Sequence, residues 1–210
     1  MPTTPTPTGT ARPAALFTAQ GLAWPGPPVN GPGPLTFTIT PGLTLVRGGE
    51  GRGKSSLLRL MAGLVQPDSG RVQRMARALC FESPADPAHD PEVACAWLQA
   101  RRGRFDGWHA GVEAALVQAF GLAEHMAKPL YMLSAGSRRK VGLVAAAASG
   151  AQLTLIDSPF AALDARSCRV LEQLLAEAAM GTERAWVVAD YALPAGLADV
   201  PLAGVIDLGD

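Results

Sequence analysis

The chain has 210 residues, enough for one large α/β domain with a small subdomain, and 48% of them are hydrophobic, which supports a substantial core. Its 18 basic and 18 acidic side chains cancel, so we expect no nucleic-acid partner. The longest apolar stretch, 141–148, is too short for a membrane-spanning helix.

The N-terminal residues 1–13 are rich in proline and threonine. They lack the basic start and the apolar centre of a signal peptide, so we expect a disordered tail on a cytoplasmic protein. A single domain is then expected over 14–210.

Two antiparallel strands are predicted before residue 41. Residues 16–19 form a short β-prone run, and residues 35–40 alternate polar and apolar side chains, as a half-buried strand does. Pro41 and Gly42 then turn the chain into a third strand over 43–46.

A glycine-rich loop follows this third strand and leads into a helix. It has the form G-x-x-x-x-G-K-[ST] between a strand and a helix, the context that identifies a phosphate-binding P-loop. The backbone N–H groups and the helix N-terminus favour phosphate oxygens, Lys54 adds a full positive charge, and Ser55 offers its hydroxyl to Mg²⁺. A glycine-rich turn that merely contains a lysine is the alternative. The predicted phosphate-binding residues are Gly48, Gly49, Glu50, Gly51, Arg52, Gly53, Lys54, Ser55 and Ser56.

Trp24 lies between the first two strands, ahead of the P-loop. An exposed indole there could stack on the adenine ring of a bound nucleotide, and such stacking contributes about 1–3 kcal/mol. A tryptophan packed at a sheet edge is the alternative interpretation.

The middle of the chain predicts a small helical subdomain at about 88–148. Helical periodicity covers 91–127, and an alanine-rich helix runs through Ala148 with Ser134 at its N-cap. Two short strands, near Val72 and over 79–81, precede it.

An apolar strand over 152–157 ends in Asp157. A strand that ends in a carboxylate is how a Mg²⁺-associated aspartate is presented beside a P-loop. A strand followed by an ordinary turn aspartate is the alternative. A helix over 165–179 and strands over 185–189 and near 205–208 complete an α/β fold with a mixed sheet.

The order of these segments resembles an ATP-binding cassette (ABC) ATPase subunit, over nearly the whole chain from about Leu16. Residues 155–164 resemble the family motif LLDEPFAALD, and the form of the signature looks most like the haem-exporter ATPase subunits of cytochrome c maturation. The residues that resemble the family signature LSGGQ are Leu133, Ser134, Ala135, Gly136 and Ser137.

This resemblance implies ATP and Mg²⁺ as cofactors, with Asp157 holding Mg²⁺ through water. It also implies that the signature of one cassette closes on the ATP held by the P-loop of a second cassette. A transmembrane transporter subunit is the other implied partner, and it would hold the protein at the inner membrane.

Three positions depart from the family pattern. Ser158 stands where the family has its catalytic Glu, Glu82 where it has the Q-loop Gln, and Asp190 where it has the switch His, with Tyr191 as the alternative for that last position. Loss of a general base typically costs about 10²–10⁴-fold in rate. We therefore expect an ATP-binding subunit that dimerises and hydrolyses ATP weakly.

Two other functions remain open on the sequence. One is a fully active transport ATPase in which another carboxylate, such as Glu82, replaces the base. The other is a soluble interaction protein that uses ATP-gated dimerisation as a clamp.

Overall fold

The strands and helices are described by a computed structural model that covers residues 14–24, 33–81 and 85–210. The predicted tail (1–13) and Glu82 lie outside the described residues, so the expectations for them remain predictions. In chain order the elements are β1 (Phe17–Ala23), β2 (Leu35–Ile39), β3 (Gly42–Arg47), α1 (Lys54–Ala62), β4 (Ser69–Arg74), β5 (Leu79–Cys80), α2 (Ala94–Arg102), α3 (Ala110–Ala119), α4 (Ala135–Ala148), β6 (Leu153–Asp157), α5 (Ala165–Ala179), β7 (Ala185–Asp190) and β8 (Leu202–Asp207).

The described strands form two sheets. An antiparallel sheet has the order β2-β1-β4, and a parallel sheet has the order β5-β6-β7-β3-β8. The predicted α/β fold with antiparallel N-terminal strands is therefore confirmed. The two kinds of strand lie in separate sheets, however, and not in one mixed sheet.

The parallel sheet is buried on both faces, which explains its continuous apolar runs. Alternate side chains of β7 pack into different clusters: Val187 faces α1 and the antiparallel sheet, whereas Val188 faces α2, α4 and α5. In α1, Leu57, Leu60 and Met61 are fully buried. Each buried side chain of this size contributes about 1.5–3 kcal/mol, so α1 is fixed firmly behind the loop that precedes it.

The C-terminal end of α4 is held by an arginine from outside the helix. Arg184 donates hydrogen bonds to the carbonyl oxygens of Ala146 (3.3 Å), Ala147 (3.3 Å) and Ala151 (2.8 Å). These bonds satisfy carbonyls that a helix end leaves without partners. They also join the helical part of the molecule to the start of β7.

The sheet register brings the ends of three strands together. Arg47, at the end of β3, pairs with Asp190 at the end of β7, and Asp157, at the end of β6, pairs with Ala189. Ligands bind outside the carboxyl ends of the strands in open α/β sheets. This edge is therefore where a site is expected.

Candidate nucleotide-binding site

The loop between β3 and α1 is shaped for an anion. Gly51 and Gly53 have positive φ angles of 73° and 88°, which residues other than glycine rarely adopt. Gly53 is the N-cap of α1, and it provides no side-chain cap for the first N–H groups; the first turn also carries no acidic residue. The N-terminus of α1 therefore has uncapped donors and a partial positive charge, which favour a phosphate.

Lys54 lies over this loop. Its Nζ donates hydrogen bonds to the carbonyl oxygens of Gly48 (2.5 Å) and Gly49 (2.8 Å). The adjoining cavity has a volume of about 310 Å³ and is lined by residues 50–56 and Ser158. A lysine amine, the helix N-terminus without a side-chain cap and serine hydroxyls form a donor set that fits the phosphates of a nucleotide.

Trp24 does not lie where adenine stacking requires it. Its side chain is 3% exposed and belongs to the cluster around α1, so the prediction of an exposed indole is wrong. The indole packs against the P-loop itself, because a Cβ at Gly53 would lie 3.1 Å from Trp24 Nε1. Because the indole is buried between β1 and the P-loop, it has no free ring face on which an adenine could stack.

Asp157 and Ser158 lie beside the P-loop at the end of β6. The two residues line, with Ser55, a larger cleft of about 770 Å³, and Ser158 also lines the P-loop cavity. The Ser158 N–H donates to Ala189 O at 2.7 Å, and Ser158 Oγ lies 3.4 Å from Asp157 Oδ1. A carboxylate and a serine hydroxyl on one cleft are oxygen ligands of the type that Mg²⁺ prefers.

Ser158 has a left-handed backbone, with φ 45°. Ala162 is the other non-glycine residue of the described chain with a positive φ, at 61°. Each such conformation costs about 1–3 kcal/mol, and such residues cluster at functional sites. The 157–164 segment is therefore held in its shape by the contacts around it.

Asp190 lies close enough to Lys54, Asp157 and Arg139 to interact with their charges. Burial raises the pKa of Asp190 above its ordinary value, and the neighbouring Asp157 carboxylate raises it further. The Tyr191 N–H, which donates to the Asp190 carboxylate, lowers this pKa, and so do Lys54 and Arg139. Tyr191, the alternative at this position, is 66% exposed. Asp190 is thus the one of the two that lies among the charged groups of the site.

The signature residues begin α4. Ser134 is the N-cap, as predicted: its Oγ accepts a hydrogen bond from the Ser137 N–H at 3.1 Å and donates to Ser137 Oγ at 3.0 Å. Ser134 and Ala135 are exposed, whereas Leu133, Gly136 and Ser137 are buried. Among the described residues, Leu133 and Ala135 line the larger cleft with Asp157, whereas no signature residue lines the P-loop cavity.

Three consecutive basic side chains of α4 make contacts that the sequence did not predict. All three side chains, residues 138–140, are partly buried. Arg138 binds Asp90 at 2.5 Å, and Lys140 binds Asp164 at 3.0 Å. Arg139 Nη1 donates to Asp157 O at 3.2 Å and also to the Ser158 carbonyl oxygen.

Asp164 connects α4 to α5. Its carboxylate caps α5 by accepting from the Ser167 N–H at 2.8 Å, and it also accepts from Lys140. The Ser167 bond, followed by the Lys140 bond, holds the pKa of Asp164 well below its usual range. The far end of the 157–164 segment is therefore also bound to α4.

Comparisons with known proteins agree with this geometry. The sequence matches the family described as ABC transporter over residues 33–161. It is 37% identical over 147 residues to the cytochrome c biogenesis ATP-binding export protein CcmA of Pseudomonas syringae pv. syringae, covering 63% of this chain and 67% of that protein. It is 34% identical over 158 residues to the CcmA protein of Salmonella typhi, covering 70% and 76%.

The fold is also found in solved structures. An ABC transporter ATP-binding protein from Pyrococcus furiosus superposes with a TM-score of 0.70 at 18% identity, covering 91% of this chain and 96% of that one. No helix of the described residues is long and apolar enough to cross a bilayer. With a P-loop, a signature segment and Asp157 in one cassette fold, the chain belongs to the ABC transporter family and is an ATP-binding subunit of that family.

Proposed function

We propose that this subunit binds Mg·ATP, that ATP closes it against a second cassette, and that it hydrolyses the nucleotide slowly. The observation that carries the proposal is Ser158: it lies in the lining of the phosphate cavity, at the position of the family's catalytic Glu, in a site whose binding groups are otherwise present.

The phosphates would be held by the uncapped N-terminus of α1 and by Lys54, whose amine needs only to turn from the loop carbonyls toward the ligand. Ser55 and Asp157 would hold Mg²⁺, Asp157 through water. The bound cation would neutralise phosphate charge in the transition state. Asp190 adds a second carboxylate near Lys54, so part of that lysine's charge is already offset before a phosphate arrives.

A second cassette would complete the site. Ser134 and Ala135 are exposed at the N-terminus of α4, and the P-loop cavity of the same chain is lined without them. An exposed helix N-terminus favours an anion, which a second chain's bound ATP would supply. ATP would then hold the two subunits together, and its loss would release them.

Slow hydrolysis follows from the weak basicity of Ser158. Its hydroxyl lies beside Asp157, and a neutral hydroxyl cannot take a proton from an attacking water as a carboxylate does. The 10²–10⁴-fold loss that typically follows removal of a base is about the size of the defect we expect.

A fully active ATPase is the second candidate, and one observation favours it. The pKa of the Asp190 carboxyl is raised by burial, and a base with a raised pKa removes protons more effectively near neutral pH. Asp190→Asn discriminates between the two. It should abolish turnover if Asp190 is the base, and leave a slow rate unchanged or faster if it is not.

The transmembrane partner is proposed from the relatives. Proteins 34–37% identical to this chain are named cytochrome c biogenesis ATP-binding export proteins, which supports a role beside an export-type membrane subunit. The protein would then lie at the inner membrane through that partner.

Size measurement with nucleotide tests the proposal. We expect the wild-type chain to shift to a dimer on gel filtration with Mg·ATP and to remain a monomer with Mg·ADP. Lys54→Ala should stay monomeric in both, because it cannot hold the triphosphate. An unchanged elution volume with Mg·ATP would mean that the subunit does not pair with itself, and a dimer of Lys54→Ala would mean that nucleotide is not what joins the subunits.

A further inference from the structure

The first turns of α4 contact the 157–164 segment at its two left-handed residues. Arg139 donates to the carbonyl oxygen of Ser158. Gly136 packs so closely that a Cβ there would lie 2.3 Å from Ala162 O. Ser158 and Ala162 are the two non-glycine residues of the described chain with positive φ. The strained segment and the signature helix therefore contact each other at the strained positions.

Arg139 contacts the backbone of Asp157 and Ser158, the part of the site where Mg²⁺ is proposed to bind. Its Nη1 donates both to Ser158 O and to Asp157 O, the latter at 3.2 Å. Its Nε is buried and has no hydrogen-bond partner in the described part of the chain. A buried donor without a partner is uncommon in native structures, so this guanidinium is held at some cost for the sake of its other bonds.

We infer that Arg139 is a positioning residue, which fixes the backbone of Asp157 and Ser158 so that the Asp157 carboxylate is presented to Mg²⁺. The inference rests on the proposed Mg·ATP binding. A guanidinium can donate to two carbonyl oxygens in fixed directions, which a single ammonium does less well. Because Arg139 belongs to α4, the Asp157 backbone and the helix that begins with the signature residues would move together.

Residues that orient a metal ligand typically change metal affinity by about 10–100-fold when they are removed. Arg139→Ala should therefore leave ATP binding in EDTA unchanged, since the P-loop contacts do not involve Arg139. The tightening that Mg²⁺ adds to ATP binding should fall by about tenfold. Arg139→Lys keeps the charge and can reach one carbonyl, so it should recover part of that tightening.

Calorimetric titration of ATP into the full chain, with Mg²⁺ and with EDTA, measures this ratio. Arg138→Ala is the matched control, because Arg138 precedes Arg139 on α4 but binds Asp90. It should keep the wild-type ratio. Thermal unfolding of each variant shows which of them fold. If Arg139→Ala does not fold, the comparison is made with Arg139→Lys.

Two results overturn the inference, and they are distinguishable. If folded Arg139 variants gain as much affinity from Mg²⁺ as wild type and Arg138→Ala do, Arg139 contributes only to stability and the positioning role is wrong. If wild type itself binds ATP no more tightly with Mg²⁺ than in EDTA, the proposed Mg·ATP function is wrong and the inference is overturned with it.

Discussion

At the scale of single residues, Lys54 provides a positive side-chain charge at the phosphate site. Its bonds to Gly48 and Gly49 place the ammonium over the loop. A hydrogen bond to a charged group contributes about 1.5–3 kcal/mol, so Lys54→Ala should weaken ATP binding about tenfold or more. Titration with a fluorescent ATP analogue measures the change, and Lys128→Ala, on a loop before α4, is the control. An unchanged affinity in Lys54→Ala would mean that the P-loop no longer binds nucleotide.

Trp24 should matter for stability and not for base recognition. Because its indole is 3% exposed, Trp24→Ala should lower the free energy of unfolding by about 3–5 kcal/mol. Trp24→Phe should lower the free energy of unfolding by less, and it should bind ATP as the wild type does. Urea unfolding gives the first quantity and titration the second. An affinity loss in Trp24→Phe without loss of stability would restore the stacking role.

Asp190 should make stability depend on pH. Its pKa is raised in the folded protein, so between the ordinary value, about 4, and the raised one the folded state binds more protons than the unfolded state does. Stability contributed by the protonated form is therefore lost as the pH rises through this window. Asp190→Asn should raise the melting temperature at pH 7 and have little effect below about pH 4. A stabilisation equal at both pH values would show that burial of charge is not the cause.

At the scale of elements, the packing of α4 against the 157–164 segment depends on Gly136. A Cβ there would meet Ala162 O at 2.3 Å, so Gly136→Ala must push the two apart. We expect a clear loss of stability from this clash. Gly111→Ala on α3 is the matched control: nothing lies within 4 Å of its Cβ, and the change should be neutral or stabilising by up to about 1 kcal/mol. Equal melting temperatures for the two variants would contradict this packing.

The elements also show which parts of the site could be read from the sequence. The P-loop, Asp157 and the Ser134 N-cap were predicted because each depends on neighbours along the chain. The burial of Trp24 and the bonds of Arg139 were not, because both depend on contacts between distant segments: Trp24 with Gly53, and Arg139 with Asp157. Local patterns give the binding groups, whereas the packing that orients them needs the fold.

At the scale of the whole molecule, we propose that the cassette combines a complete phosphate-binding loop with an incomplete set of hydrolytic residues. Lys54, Ser55 and Asp157 are grouped at one edge of the parallel sheet, and Ser158 lies among them. Glu82 lies outside the described residues, so its part in the site stays a prediction. We therefore expect ATP binding without rapid turnover, and we propose that Ser158 is the residue responsible for the difference.

Phosphate release with Mg·ATP, measured side by side for the wild-type chain and Ser158→Glu, tests this separation most directly. Ser158 already adopts its left-handed backbone with a side chain, so a glutamate meets the same backbone cost and brings a base to the cavity. We predict slow phosphate release from the wild type, faster release from Ser158→Glu, and none when Lys54→Ala is introduced into either chain. Brisk release from the wild-type chain that Lys54→Ala abolishes would contradict it, and would make this subunit a fully active ATPase with a different base.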